Sequence, residues 1–170
     1  MSEIKWPNGC GMYHAVPEDS DKLLQLYKSL LGSPCCVWDE HYPNMDTIRF
    51  DMDRDAVFVL KNEEGRILAA VSIDLDEEVE ALPCWNRDLA PMGELSRLAV
   101  DASLNGLGMG GKLLQFGMEE LKRRGYLSCH FLVNKHHLRA QRAYAHVEGL
   151  KVVGECELFD QPFLCYEKEL

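Results

Sequence analysis

A glycine-rich segment over residues 94–112 holds the residues whose types and spacing are best suited to chemistry. An apolar, β-like run at 95–100 passes through a short polar turn into four glycines, which open a strongly periodic helix. The first amides of a helix have no partner within it, and its dipole stabilises a negative charge there by about 0.3–1 kcal/mol. Glycine also lets a bulky group approach the backbone closely. Residues 106–112 therefore predict a site for a phosphate-bearing ligand, the alternative being a glycine-rich loop that only packs a helix onto a sheet.

Two familiar phosphate-binding motifs match this segment only in part. Gly106, Gly111 and Lys112 have the Walker A spacing, but Leu113 stands where a Ser or Thr hydroxyl would hold Mg²⁺. The pattern G-x-G-x-x-G also runs from Gly106 to Gly111, and in dinucleotide-binding proteins it is followed about 20 positions later by an acidic residue. Here the next predicted strand ends in Asn134 followed by lysine. Nucleotide hydrolysis is disfavoured, and a nucleotide-dependent oxidoreductase is a distant alternative.

The same segment resembles motif A of the GNAT superfamily of acetyl-CoA-dependent N-acetyltransferases, whose signature is Gln/Arg-x-x-Gly-x-Gly/Ala. Residues 105–110 read Asn-Gly-Leu-Gly-Met-Gly. The separation of Gly108 from Val100, the end of the predicted strand, is also similar to that of the family. Asn105 stands where Gln or Arg is usual, so an amide is kept but its reach is shorter. The resemblance implies that backbone N–H groups of this loop hold the pyrophosphate of the coenzyme.

A second stretch strengthens the resemblance. Members of the family usually carry Asn-x-x-Ala-x-x-x-Tyr-x-x-x-Gly-Phe after the fifth strand, and here Ala140 and Tyr144 stand in register. His137 replaces the common Asn, which often binds the cofactor arm, and Gly149 arrives one residue late. The residues to which the resemblance assigns coenzyme binding are Leu98, Ala99, Val100, Asn105, Gly106, Leu107, Gly108, Met109, Gly110, Gly111, Lys112 and His137.

Two catalytic side chains are also implied. Glu94 lies six residues before Val100, where several family members carry a general-base glutamate, and strand alternation would place it on the same face as Leu98 and Val100. A lysine-like ammonium, with a pKa near ~10.4, must lose a proton at neutral pH, and general-base help is typically worth about 10²–10⁴ in rate. Tyr144 matches the tyrosine beside the coenzyme sulfur, where it would protonate the leaving thiolate. An amide among 98–100 would bond the thioester carbonyl. A solvated carboxylate and a structural tyrosine are the alternatives.

The elements that must position these residues are predicted in the order β-α-α-β-β-β-α-β-α-β-β. Strands are predicted at 12–16, 56–60, 67–75, 95–100, 127–133, 151–158 and 163–169, and helices from 17–21 to Gly32 and at 44–52, 109–124 and 136–147. This order predicts an α/β (α+β) fold: a mixed, mostly antiparallel central sheet flanked by helices, in one domain over 1–170. It is also the GNAT order. The segments 33–55 and 76–92, irregular apart from the predicted helix at 44–52, carry no motif.

Charge and composition restrict the partners of the protein. With 28 acidic and 18 basic residues, the net charge is −10, which argues against a nucleic-acid partner. The charge suits a cationic amine, although acidic residues also serve solubility alone. No apolar run approaches the roughly 18 residues of a membrane span, and the N-terminus lacks the apolar core of a signal peptide. We therefore expect a cytoplasmic protein without a membrane partner.

Cysteine and histidine usage predicts neither disulfides nor a metal site. Seven cysteines, at 10, 35, 36, 84, 129, 156 and 165, include no C-x-x-C pair. Such a scattered, odd set is expected as reduced thiols, mostly in the core. His136 and His137 are adjacent, so on a helix they diverge and do not chelate one ion.

These observations predict a GNAT-type N-acetyltransferase that moves an acetyl group from acetyl-CoA to a primary amine, directly and within a ternary complex, without a metal. The alternative is a non-catalytic acyl-CoA-binding or sensing module of the same fold. The acceptor, a small-molecule or peptide amine, cannot be identified from the sequence. Trp38, Tyr42 and Trp85 lie in the segments where this fold forms its acceptor pocket, but each is more often a packing residue. A homodimer is compatible with the sequence but not derivable from it.

Overall fold

The computed structural model describes residues 3–34 and 36–170. Within these ranges seven strands form one sheet, in the spatial order β1-β2-β3-β4-β5-β7-β6. The strands are β1 (Gly11–His14), β2 (Val57–Lys61), β3 (Ile67–Asp74), β4 (Met92–Val100), β5 (Ser128–Asn134), β6 (Lys151–Leu158) and β7 (Gln161–Glu169). The helices are α1 (Ser20–Ser29), α2 (Met45–Asp53), α3 (Glu77–Glu80), α4 (Met109–Arg123) and α5 (Leu138–Tyr144).

The predicted fold class, a mixed and mostly antiparallel sheet flanked by helices, is confirmed. One element was not predicted: α3 lies within the segment 76–91 that was expected to be irregular. Asp76 begins this helix, because its side chain accepts hydrogen bonds from the amides of Glu78 and Val79. Helix α5 is shorter than expected and ends at Tyr144. Strand β4 begins earlier than expected, at Met92.

The two faces of the sheet are covered differently. Helix α4 packs on one face through Leu113, Leu114, Met118 and Leu121, all buried. Helices α1 and α2 cover the β1–β4 half of the other face. The segment 76–91, with α3 and Trp85, covers the β5–β7–β6 half of that face. On that face, helices α1 and α2 meet the segment 76–91 above β4.

Strands β4 and β5 are the only parallel neighbours in the described sheet, and they separate before they end. Their register pairs are Met92 with Ser128, Gly93 with Cys129 and Glu94 with His130, and no pair follows. Both strands nevertheless continue for several residues. The sheet therefore opens at its centre into a gap between the second halves of β4 and β5.

A bulge in β4 lies at the start of this gap. The register shifts between Ala70 and Ser72 of β3, whose partners on β4 are Ala99 and Ser96. Between these two pairs β4 advances by three residues while β3 advances by two, so β4 contains one extra residue at this point. Arg97 is the residue that adopts the unusual backbone, with φ of 49° in the left-handed region.

The bulge changes which side chains of β4 share a face. Leu95 packs against Gly117 of α4, where an added Cβ would lie 2.7 Å from its methyl carbons. Leu98 and Val100 pack against the same hydrophobic cluster. Glu94, adjacent to Leu95, consequently lies on the opposite face. The expectation that alternation would put Glu94 on the face of Leu98 and Val100 is wrong, because the extra residue between them reverses the alternation.

In the described part of the chain, none of the helices has the length and apolar character that crossing a membrane requires.

Candidate active site

The glycine loop, residues 105–111, leads from a short 3₁₀ turn into α4. Gly106 and Gly108 have left-handed backbones, with φ of 83° and 68°, and Gly108 is the residue that precedes the helix. A Cβ added at Gly106, Gly108 or Gly111 would meet no atom within 4 Å. Among the described residues no side chain caps the helix. The amides of its first turn therefore face open space, an arrangement that accommodates a diphosphate.

The side chains around this loop contribute less than its backbone. Asn105 and Leu107 are exposed, whereas the side chain of Met109 is buried in the core. The Lys112 ammonium donates a hydrogen bond to the carbonyl oxygen of Lys5 at 2.7 Å, so it is directed away from the loop opening. The structure thus places the predicted loop residues together, with Gly106, Gly108, Gly110 and Gly111 at the opening.

Two amides of β4 point into the gap. The amide of Asp101 donates to the carbonyl of Leu68 on β3 at 2.8 Å. Because amides alternate in direction along a strand, the Ala99 amide also faces β3, while those of Leu98 and Val100 face the gap. The side chain of Ala99 is buried in the cluster beneath α1 and α2. The structure therefore brings Leu98 and Val100 to the predicted site but not Ala99.

Tyr144 lies beside the first turn of α4. Its ring packs edge-on against Phe131 and Tyr166, with centroid distances of 5.7 and 6.2 Å. A Cβ added at Gly110 would lie 3.7 Å from the Tyr144 hydroxyl oxygen. Burial, together with the neighbouring Tyr166 hydroxyl, raises the pKa of Tyr144 to about 12. The hydroxyl is therefore protonated at neutral pH and lies between the glycine loop and β5.

His137 has a local structural use. It precedes α5, and its Nδ1 accepts a hydrogen bond from the amide of Ala140 at 3.3 Å. This is the capping contact that the commoner Asn would also make. Burial and the nearby Arg139 lower the pKa of His137. Only Nε2 of this ring remains for the predicted contact with the coenzyme.

Glu94 lies on the opposite side of β4, at the point where β4 and β5 stop pairing. It is only 8% exposed, and its Oε2 accepts a hydrogen bond from the amide of Asp76 at 3.3 Å. Burial, followed by the charges of Asp74 and Asp76, raises its pKa to about 9. In the free protein this carboxyl group is thus protonated at neutral pH.

Arg97, which the sequence reasoning missed, organises the charges beside Glu94. Its Nε and Nη2 donate to both oxygens of Asp51 in α2, at 3.0 and 2.8 Å. Its Nη1 donates to Asp74 at 2.7 Å and to the Tyr42 hydroxyl at 2.9 Å. The guanidinium is 3% exposed, so these acceptors compensate a buried cation. An arginine in the middle of the predicted central strand was the available signal, because a buried arginine must find acidic partners.

His130 is the second residue that sequence reasoning missed. It is the register partner of Glu94, is completely buried, and stacks on Trp85 with ring centroids 4.6 Å apart. Within the described residues neither ring nitrogen has a hydrogen-bond partner, although Nε2 lies 3.6 Å from the Glu80 carboxylate. Burial and the charge of Arg87 lower its pKa to about 4, so the ring is neutral.

The three aromatic candidates for the acceptor pocket differ in position. Trp38 packs edge-on against Tyr27 at 5.3 Å, in the α1–α2 cluster. Trp85 is 3% exposed, and its Nε1 donates to the carbonyl of Val79. Tyr42 is 43% exposed while its hydroxyl is held by Arg97. Tyr42 is therefore the aromatic residue placed to contact a ligand on the Glu94 side.

A mixed central sheet whose middle strands separate beside a glycine-rich helix start is the arrangement expected of an acyltransferase. The sequence profile of the acetyltransferase (GNAT) family matches residues 21–149. The chain belongs to this family and is an acetyl-CoA-dependent acyltransferase. No curated protein matches it in sequence.

Solved structures of the same fold cover nearly the whole chain. A GNAT-family acetyltransferase from Streptococcus agalactiae is 19% identical, with a TM-score of 0.76 over 97% of this chain and 98% of its own. A GCN5-related N-acetyltransferase from Kribbella flavida is 15% identical, with a TM-score of 0.73 over 97% and 100%. The yncA protein from Salmonella typhimurium, solved with its cofactor acetyl-CoA, is 16% identical, with a TM-score of 0.72 over 95% and 94%. At these identities the likeness establishes the fold.

Proposed function

We propose that this protein acetylates a primary amine, by direct transfer from acetyl-CoA within a complex of protein, coenzyme and acceptor, and that its 170 residues act as one catalytic domain. The observation that supports this proposal is the arrangement of groups around the point where β4 and β5 stop pairing. A loop of open amides and the Tyr144 hydroxyl lie on one side of β4, and the buried Glu94 carboxyl group lies on the other. An acyl donor and an amine entering from opposite sides would meet at this point.

Binding of the donor would rest on backbone groups. Amides at the start of α4 would hold the diphosphate, and the left-handed glycines leave room for it. The amides of Leu98 and Val100 would bond the donor along the gap and stabilise negative charge on the reacting carbonyl oxygen. Bound acetyl-CoA supplies the acetyl group as a reactive thioester.

Glu94 would accept the proton of the amine. Its pKa of about 9 in the free protein means that it must first ionise. A cationic acceptor favours that ionisation, because an ammonium ion near the carboxylate stabilises its charge. The acidic side chains of Asp74 and Asp76 lie beside Glu94 and raise its pKa, so they would also attract the cation. We therefore assign the acceptor to the class of cationic amines.

Tyr144 would assist the departing sulfur mainly by donating a hydrogen bond. Its pKa of about 12 is far above the value near ~8.5 of an ordinary thiol. Complete transfer of its proton to a thiolate is therefore unfavourable, while a neutral hydroxyl remains a good donor. This assigns Tyr144 a smaller part of the rate enhancement than Glu94.

Turnover with a panel of amines tests the proposal. Acetyl-CoA is supplied with a diamine, a lysine amide, a peptide with a free N-terminus and a neutral aromatic amine, and the released thiol is measured. We expect acetylation of at least one cationic amine. Initial-rate lines that intersect when both substrates are varied would support direct transfer, whereas parallel lines would indicate a covalent acetyl-enzyme. Calorimetric binding of acetyl-CoA with no amine acetylated would favour the sensing module instead.

A further inference from the structure

A cysteine of the segment 76–91 meets two cysteines of the β6–β7 hairpin on the face of the sheet that this segment covers. Cys84 belongs to that segment, Cys156 to β6 and Cys165 to β7, and all three contribute to one hydrophobic cluster. Cys165 is the register partner of Gly154 across β6 and β7. A Cβ added at Gly154 would lie 2.8 Å from Cβ and 3.4 Å from Sγ of Cys84. Gly154 therefore leaves the room in which Cys84 packs on β6, at the residue that pairs with Cys165 of β7.

The three thiols share one cluster but differ in their access to solvent. Burial and the neighbouring thiols of Cys156 and Cys84 raise the pKa of Cys165. Cys165 is completely buried, whereas Cys84 and Cys156 are partly exposed. A small oxidant can thus reach Cys84 from solvent while the Cys165 thiol lies next to it. The expectation that the cysteines lie mostly in the core is wrong for the described ones, since Cys129 and Cys165 alone are buried among them. Cys35 lies outside the described residues.

Metal binding does not account for this cluster. Within 3–34 and 36–170, no group of three or more His, Cys, Asp or Glu side chains is placed to hold a metal ion. Neighbouring thiols of which two are partly exposed are suited instead to oxidation, because an exposed thiol can react with an oxidant and a neighbouring thiol can then form a disulfide with it.

We propose that Cys84 and Cys165 form a peroxide-sensitive disulfide site. A peroxide first oxidises the Cys84 sulfur to a sulfenic acid, its O–O bond breaks, and one oxygen leaves as water or alcohol. The Cys165 sulfur then attacks the Cys84 sulfur, and the S–O bond breaks as the S–S bond forms. The leaving oxygen takes the Cys165 proton and departs as water. One peroxide is reduced by two electrons while two thiols become one disulfide.

The bond would tie to β7 the segment 76–91, whose first residue, Asp76, contacts the proposed catalytic carboxyl group. That segment donates the Asp76 amide to Glu94 and places Trp85 over His130. One tie between the same two parts already exists, since the Asn86 amide donates to Glu167 of β7 at 2.9 Å. Oxidation would therefore lock the segment in the position that the structure shows.

Peroxide treatment followed by peptide mapping tests the proposal. The reduced, folded protein is treated with a small excess of hydrogen peroxide, alkylated, and digested without reductant for mass spectrometry. We expect a linked pair of peptides containing Cys84 and Cys165, lighter by two hydrogen atoms and separated by dithiothreitol. Cys84→Ser and Cys165→Ser should each abolish the link, and Cys156→Ser and the matched control Cys10→Ser should retain it.

Several results would overturn this assignment. The assignment fails if Cys84 and Cys165 are alkylated fully after peroxide treatment, if Cys84 advances to sulfinic acid without a link, or if the link joins another pair. Circular dichroism of each variant shows whether a lost link reflects lost folding, and Cys84, being partly exposed, supplies the less disruptive substitution. The same treatment in concentrated urea should produce no preference for Cys84–Cys165. An equal yield there would mean that the fold does not create the site.

Discussion

The glycine loop and the carboxyl site around Glu94 lie on opposite sides of β4, and they are built in different ways. The loop is one uninterrupted stretch, 105–111, and what it offers is backbone N–H groups. The carboxyl site is assembled from separate parts of the chain: Tyr42, Asp51, Asp74 and the bulged strand itself. The loop is a local site, whereas the carboxyl site exists only once the chain has folded.

The two regions also differ in charge. The loop presents partial positive charge that does not titrate, because amides and a helix start supply it. Around Glu94 the charges are full and buried, with Arg97 compensating Asp51 and Asp74 while Glu94 is neutral. Such a group can change its protonation state when a ligand arrives. We infer that the loop supplies binding and that the carboxyl site supplies the chemical step.

The largest expected effect is a loss of catalytic rate without a loss of affinity for the coenzyme. Glu94→Gln should lower kcat by about 10²–10⁴, the usual value of general-base help. The affinity for acetyl-CoA should not change, because the loop lies on the other side of β4. Steady-state kinetics and calorimetry measure the two quantities. The matched control is Glu77→Gln, which neutralises an exposed carboxylate of α3 in the segment that contacts Glu94.

The pH dependence of the same pair identifies the ionising group. Since the pKa of Glu94 is raised to about 9, the rate of the wild-type enzyme should rise with pH until Glu94 is ionised. The amine also titrates, so both proteins are compared with one amine, and the rise due to Glu94 should be missing in Glu94→Gln. A wild-type rate in Glu94→Gln would remove the glutamate from the mechanism.

A second effect concerns stability. Folding raises the pKa of Glu94 from 4.5 to about 9, so the folded protein favours the protonated form. The associated stability is present in full below pH 4.5 and is lost as the pH rises towards 9. Glu94→Gln cannot ionise, so its stability advantage over the wild type should grow by about 4 kcal/mol between about pH 5 and about pH 8.5, at about 1.4 kcal/mol for each unit. Urea unfolding at about pH 5 and about pH 8.5 measures the difference, and a constant difference would contradict the raised pKa.

The same contrast explains how much of the site could be predicted from the sequence. The loop needs only neighbouring residues, so its glycine spacing indicates both its backbone and its ligand. The face on which Glu94 lies depends on the bulge in β4. No residue type near Arg97 indicates that the strand contains an extra residue there. The pairing of His130 with Glu94 and the approach of Cys84 to Cys165 depend on long-range contacts. Elements and their order follow from local periodicity, while side-chain sites built across segments do not.

A third prediction tests whether the loop acts through its backbone. Gly108→Ala places a Cβ at a left-handed residue, φ 68°, costing about 1–2 kcal/mol of stability, and it also fills space needed by the diphosphate. We expect acetyl-CoA affinity to fall at least about tenfold, equivalent to about 1.4 kcal/mol. Gly125→Ala is the matched control, because Gly125 follows the other end of α4, has φ of 89° and is equally open. It should lose similar stability but keep its affinity; equal losses of affinity would mean that strain alone is responsible.

The smallest expected effect belongs to Tyr144, which lies on the loop side of β4. With a pKa of about 12, complete transfer of its proton to a thiolate of ordinary basicity is uphill by roughly 5 kcal/mol, at about 1.4 kcal/mol for each pKa unit. A hydrogen bond to the sulfur is worth about 1 kcal/mol, so Tyr144→Phe should lower kcat by no more than about tenfold. Tyr166→Phe is the matched control, since it removes a hydroxyl from the same aromatic group. A loss near 10³-fold in Tyr144→Phe alone would mean that the tyrosine gives up its proton in the bound complex. In that case both sides of β4 would move protons, and the division between a binding side and a chemical side would fail.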